Sequence, residues 1–312
     1  MFRLAREVPH RTEKTIAFNK FQLMKIKFTG LALIILALSE SLSGQPNPQV
    51  LTATQILDLI KKNVGCSWSD QTVDTFKSGN PDDAVTGIAT CMFADMKVLK
   101  QAVAANCNLI ITHEPTFYNH LDETKLLEED PVYEAKIKFI NDHKLIIFRF
   151  HDHIHRMKPD GIYAGMVVKL GWVNNRSESS YDHFAFKPEK LSAFVDRLKR
   201  IFPGSAFRVV GDPDLLVTNV ALSAGAAGST DHIRLLQDKN TQVLIAGEAP
   251  EWETYQYVYD AQLQGKSKAV IFLGHTLSEE AGMSYCAKWL AGFIPDFVLI
   301  KYFENESSYK TY

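Results

Sequence analysis

The chain has 312 residues, of which 46% are hydrophobic and 22% charged, with a formal net charge of −2. That is enough for one large core or two modest ones. The near-neutral balance excludes the basic excess or stripe that nucleic-acid binding normally shows, and no charged tail points to a charged partner.

In chain order, residues 1–23 are polar and basic without a periodic pattern, and read as an extension from an early start. From Met24, MKIKFTGLALIILALSESLSG places two lysines before an apolar run, Phe28 to Leu38, and then small residues. This three-part pattern over 24–44 predicts a secretory signal peptide. The run is short of the ~20 residues that span a bilayer as a helix. The expectation is therefore an exported chain, periplasmic or secreted, with no membrane association beyond this segment; an uncleaved anchor is the alternative. Cys66, Cys91, Cys107 and Cys286 allow two disulfides in an exported protein. They also suit buried thiols, because Cys107 precedes an apolar run and Cys286 sits among Ala and Trp. No CxxC spacing suggests a thiolate zinc site.

After the linker GQPNPQ, residues 50–312 alternate between two periodicities. TATQILDLIKKNV predicts a helix capped by Thr52 or Thr54, with Ile56, Leu59 and Ile60 on one face. VTGIATCMF is a strand, ADMKVLKQAVAAN a helix, and NLIIT a short apolar strand of the parallel-sheet type. VYEAKIKFINDH is a helix, KLIIFRF a strand and GIYAGMVVKLGW a helix. PEKLSAFVDRLKRIF predicts an amphipathic helix with Pro188 in its first turn. AFRVVG, VTNVALS, QVLIAGE and KAVIFLGH are strands, and EEAGMSYCAKWLAGF is a helix. The alternation predicts an α/β fold with mostly parallel sheets. No internal repeat is visible.

The strands end in ligand chemistry. NLIIT runs into His113 and Glu114, KLIIFRF into His151, Asp152, His153 and His155, QVLIAG into Glu248, and KAVIFLG into His275 with Glu279 one helical turn on. The expectation is convergence at one sheet edge, beyond the carboxyl ends of the strands where such sites are built. An extended HDHIH segment would put its three imidazoles on one side and Asp152 on the other. Imidazole with carboxylate suits Zn, Mn, Fe or Ni, and His275 with Glu279 can hold one ion or share two. Not every group can ligate directly. His151 and His153 are expected to hold carboxylates or substrate instead, while His120, His143, His183 and His232 lie in polar segments and are expected to be solvated. In ALSAGAAGST, Gly225 and Gly228 form a turn whose amides could cradle an anion, but a close-packed turn is the default. No GxSxG elbow supports acyl transfer.

NLIITHEP, HDHIH, ALSAGAAGS, LIAGE and GHTLSEEAG, in this order and spacing, resemble the Nif-three-like dinuclear metal-centre family, often labelled GTP cyclohydrolase I type 2. The resemblance covers roughly Val50 to Tyr302. The family's motifs are THHP, HTNLD and GHxxSE. Here Glu114 replaces the second His of the first motif, and His155 replaces the Asp that closes the second. The two changes offset each other, leaving three imidazoles and two carboxylates. The resemblance implies two similar α/β lobes with two divalent ions per chain between them, held by His113, Glu114, His155, His275 and Glu279. It also implies a toroidal homohexamer, a trimer of dimers, without an inserted middle domain. The expected function is metal-dependent hydrolysis of a small-molecule substrate, with His151 or Glu248 moving the proton. The alternative is a non-catalytic metal-binding or scaffold ring. An exported chain would meet little GTP, so GTP cyclohydrolase activity is not expected.

Overall fold

The computed structural model describes residues 50–177 and 180–306, so the signal-peptide and extension readings lie outside the described residues. α1 (Ala53–Asn63) opens with a capping box in which the Thr52 hydroxyl accepts from Gln55 N and the Gln55 side chain accepts from Thr52 N. Thr52 rather than Thr54 is therefore the cap.

The first lobe continues with β1 (Phe76–Ser78), β2 (Gly87–Cys91), α2 (Met96–Ala104), β3 (Leu109–Thr112), α3 (Pro131–Asp142) and β4 (Ile146–Arg149). Two helices follow, α4 (Asp152–Arg156) and α5 (Gly161–Leu170). The second lobe comprises β5 (His183–Lys190), α6 (Leu191–Ile201), β6 (Arg208–Val210), β7 (Leu216–Ser223), α7 (Ser229–Gln237), β8 (Val243–Ala246), α8 (Gln256–Leu263), β9 (Ala269–Phe272) and α9 (His275–Leu290). β10 (Leu299–Tyr302) returns to the first sheet.

The two five-stranded sheets run β1-β4-β3-β2-β10 and β6-β9-β8-β7-β5. β2, β3 and β4 are mutually parallel with β1 antiparallel beside β4, and β7, β8 and β9 are mutually parallel with β6 antiparallel beside β9. Four consecutive strands thus repeat one topology in each lobe. The repeat is absent from the sequence because a strand buried on both faces needs only apolar side chains, not particular ones. Ile88, Leu109, Ile111, Ile146 and Phe148 face a core shared with α1, α5 and α9, while Ala89, Ile110 and Ile147 face α2 and α3.

α5 and α9 join the lobes. Ile162, Met283, Cys286 and Leu290 pack into the first lobe's core, and Met166, Val167 and Leu170 into the second's. The helices approach closely because Gly165 and Gly282 lack side chains. A Cβ on Gly165 would strike the Ala281 carbonyl, and one on Gly282 would lie 2.6 Å from Ile162 Cα.

The element around Pro188 differs from expectation. Pro188 lies in β5, not in the first turn of a helix, and α6 begins at Leu191. β5 is an edge strand whose register shifts between Ala185 and Glu189, and such an edge tolerates a residue without an N–H. All four cysteines are free thiols, and Cys91, Cys107 and Cys286 are buried, so the thiol alternative describes them. No described helix is long and apolar enough to cross a membrane.

Candidate metal centre

The groups at the strand ends come from two sheets rather than one edge. His113 and Glu114 follow β3, and Glu248 follows β8, the equivalent strand of the second lobe. The backbone turns alike at both places. His113 N donates to Cys91 O and Gly247 N to Ser223 O, at 3.1 and 2.9 Å; Phe150 N donates to Thr112 O and Leu273 N to Ala246 O, at 2.8 and 2.9 Å. β4 then leads into α4 and β9 into α9, so each lobe presents an i,i+4 pair, His151 with His155 and His275 with Glu279.

HDHIH is therefore helical, which corrects the extended reading. Helical spacing keeps His151 and His155 together and sends His153 away. His153 is fully buried, stacked on Trp68 with ring centroids 3.7 Å apart. Its Nδ1 lies 2.6 Å from Asp74 Oδ2, and its Nε2 accepts from Ser69 N at 2.9 Å. It is structural rather than a holder of substrate. The cause of the helix is Asp74, whose carboxylate accepts from the backbone amides of His151, Asp152 and His153 at 2.6, 2.9 and 2.8 Å. These are the orphan amides of a helix start. Asp74 carries no local signal, because it acts across 77 residues.

The four remaining imidazoles share one orientation. Each Nδ1 meets an oxygen: Phe150 O for His113 at 3.2 Å, Asp152 Oδ1 for His151 at 3.0 Å, Asp160 Oδ2 for His155 at 3.0 Å, and Glu248 Oε1 for His275 at 3.1 Å. Carbonyls and carboxylates only accept, so each Nδ1 carries the proton and each Nε2 is directed inward. His275 Nε2 lies 3.1 Å from Glu114 Oε1 and 3.0 Å from Glu279 Oε2. His113 Nε2 is 3.4 Å from Glu279 Oε2, and His155 Nε2 is 3.8 Å from Glu279 Oε1. His113 Nε2 and Glu279 Oε2 are buried and complete no hydrogen bond. Donor atoms of His113, His151 and His155 lie within 4.8 Å of one another, as do those of His113, Glu114 and Glu279. Convergent nitrogens with orphaned donors fit a borderline divalent ion, and these buried His and Glu groups can bind one.

The cluster polarises itself. Burial alone would lower the His275 pKa, yet the carboxylates of Glu114 and Glu279 beside Nε2 raise it to about 11. Burial would raise Glu279, but His113 and His275 hold it well below the ordinary carboxylate range. Burial and the neighbouring His113 push His151 down to about 4.

Of the other residues singled out, Glu248 has a side chain 55% exposed and reaches His275 from the rim. Asp152 is occupied by His151, Thr72 Oγ1 and Val73 N. His120 and His143 are exposed and His183 is half-buried beside Asp182. His232 is buried, contrary to the solvated reading, because it shares with Leu235 and Leu236 the face of α7 that covers the second sheet. Gly225 has φ +61°, and any side chain there would collide with the Glu279 carboxylate; its loop is a close-packed turn against the centre. Sequence reasoning missed Asp74, Arg149 and Asp160. Asp160 had a signal, as the cap of α5, accepting from Ile162 N and Tyr163 N with the oxygen not facing His155.

The family model described as Duf34/NIF3 (NGG1p interacting factor 3) matches residues 55–306. A protein of Clostridium acetobutylicum named GTP cyclohydrolase 1 type 2 homolog is 25% identical over 226 residues, 69% of this chain and 80% of its own. Among solved structures, a hypothetical protein of Staphylococcus aureus superposes with a TM-score of 0.63 at 16% identity, covering 82% of this chain and 97% of that one. A Bacillus cereus protein related to NIF3 gives 0.63 at 14% identity, covering 85% and 98%. These two likenesses concern the fold.

Proposed function

This chain belongs to the Duf34/NIF3 family, and from that premise we propose that it is a metal-dependent hydrolase with two divalent ions per chain. The observation that carries the reading is the common orientation of His113, His151, His155 and His275, each with Nδ1 held by oxygen and Nε2 directed at Glu114 and Glu279. His113, Glu114, His155, His275 and Glu279 would hold the ions, and His151, placed among the same donors, is a sixth candidate. Zn, Mn, Fe and Ni all suit this donor set. Bound ions of this kind supply Lewis acidity and lower the pKa of water from 15.7 toward ~7. Glu248, half out in solvent at the rim, is placed to exchange a proton with the medium. His151, kept neutral by burial, is the other base within reach.

Elemental analysis of protein purified from Met24 onward tests the reading. The expected result is about two equivalents of transition metal per chain, lost on His113→Ala with His275→Ala. Full metal content in that double variant would refute the assignment. A screen of phosphoesters, amides and nucleotides then follows, with GTP included because of the relative's name. A loaded protein that turns over none of them would favour the non-catalytic metal-binding reading. We also propose export and a homohexamer; N-terminal sequencing of the envelope protein and light scattering test these separately.

A further inference from the structure

Arg149, the last residue of β4, is fully buried. Its Nε donates to His113 O at 3.1 Å, and its Nη1 donates to His120 O. Nη2 completes no hydrogen bond and lies 3.6 Å from Glu114 Oε2. On its other side Nη1 is 3.7 Å from Asp122 Oδ2, which is 3.4 Å from Lys77 Nζ. Lys77, Asp122, Arg149 and Glu114 thus form a row of alternating charge, with side chains 8%, 3%, 0% and 9% exposed. A buried charge deprived of its partner is strongly unfavourable. Were Glu114 neutral, Arg149 and Lys77 would share the single carboxylate of Asp122.

The row also divides the work of the Glu114 carboxylate. Oε2 faces Arg149, whereas Oε1 lies 3.1 Å from His275 Nε2, 3.8 Å from His151 Nε2 and 4.0 Å from His113 Nε2. We infer that Arg149 is a positioning residue that selects a carboxylate at position 114, engaging Oε2 so that only Oε1 is offered to the metal centre. Its bond to His113 O places the neighbouring ligand as well. The metal half of this inference rests on Glu114 being a ligand, as proposed above.

A double-mutant cycle tests it, using Glu114→His, Arg149→Gln and the two combined. An imidazole binds borderline divalent metals readily but gives the guanidinium no charge to pair with. Each single substitution is expected to weaken Zn(II) binding by about tenfold or more and to lower Tm measured in chelator. The double variant is expected to recover both, to within a few-fold of the wild-type affinity. Losses that simply add in the double variant would overturn the inference. If Arg149→Gln does not fold, Glu114→His decides alone, and wild-type Tm and affinity in that variant would overturn it. If wild-type protein takes up none of Zn(II), Mn(II), Fe(II) and Ni(II), the proposed function fails while the Tm cycle still decides the Arg149–Glu114 pairing.

Discussion

Glu114 and Glu248 grip opposite nitrogens of one imidazole: each presents Oε1 at 3.1 Å to His275, the first on Nε2 and the second on Nδ1. Each lies two residues beyond the end of its strand, β3 or β8, so the seam between the lobes runs through the His275 ring. Glu248 fixes the proton on Nδ1, so a metal that displaces the Nε2 proton would bind through Nε2. Glu248→Ala is therefore expected to weaken metal binding by roughly 10- to 100-fold, and Glu248→Gln to restore much of it, because the amide oxygen still accepts. Stability should change by less than about 0.5 kcal/mol, the side chain being half exposed. Calorimetric metal titration and denaturant melts of the same variants check both halves.

Asp74 holds α4 in place. Asp74→Ala removes the acceptor of three backbone amides and of the buried His153 ring. The expected loss is about 3 kcal/mol or more, because hydrogen bonds to a buried charged group are worth ~1.5–3 kcal/mol each. Metal uptake should fall with it, since α4 carries His151 and His155. Urea unfolding with parallel metal analysis checks this; unchanged metal content would show that α4 keeps its shape without the cap.

Gly165 sets the approach of α5 to α9. Gly165→Ala would drive a methyl into the Ala281–Gly282 backbone, and such overpacking costs about 1–3 kcal/mol. His275 and Glu279 sit on the displaced helix, so weakened metal binding should accompany the lower stability. Thermal melts with and without metal separate the two effects.

Lys136 predicts a pH dependence. It is buried, donates to Thr116 O at 2.6 Å, and burial lowers its pKa to about 8. Below about pH 8 the amine is charged in both folded and unfolded chains, and the cost of burying that charge is carried in full. Between about 8 and 10.5 the folded chain releases the proton first while the unfolded chain retains it, so stability rises with pH. Relative to Lys136→Met, the wild type should gain on the order of 2–3 kcal/mol across that window. Urea midpoints of the two proteins at pH 7.5 and 10.5 check the sign. The comparison with Lys136→Met cancels the buried thiols and tyrosines, which titrate in the opposite sense.

Strand identity was readable wherever both faces are buried, as in LIIT and VLIA, because burial on two faces demands an unbroken apolar run. β5 was not, because an edge strand admits Pro188 and polar residues that resemble a helix start. The His and Glu at strand ends were readable from residue type, since polar ligands directly after apolar runs stand out. His232 was misjudged for the same reason in reverse: a polar residue among polar neighbours gives no sign of which helix face it occupies.

The sequence by itself determined the α/β class, the groups capable of ligation and the i,i+4 spacing of His275 and Glu279, all of which depend on local periodicity and chemistry. Only the tertiary structure decided which imidazoles belong together. Asp74, distant in the chain, coils HDHIH into a helix, removing His153 and retaining His151 and His155. Two lobes of one topology, joined where Gly165 and Gly282 let α5 meet α9, bring Glu114 and Glu248 to either side of a single ring. These relationships are set by backbone amides, close approach and buried charge between distant segments, and no local stretch of sequence contains them.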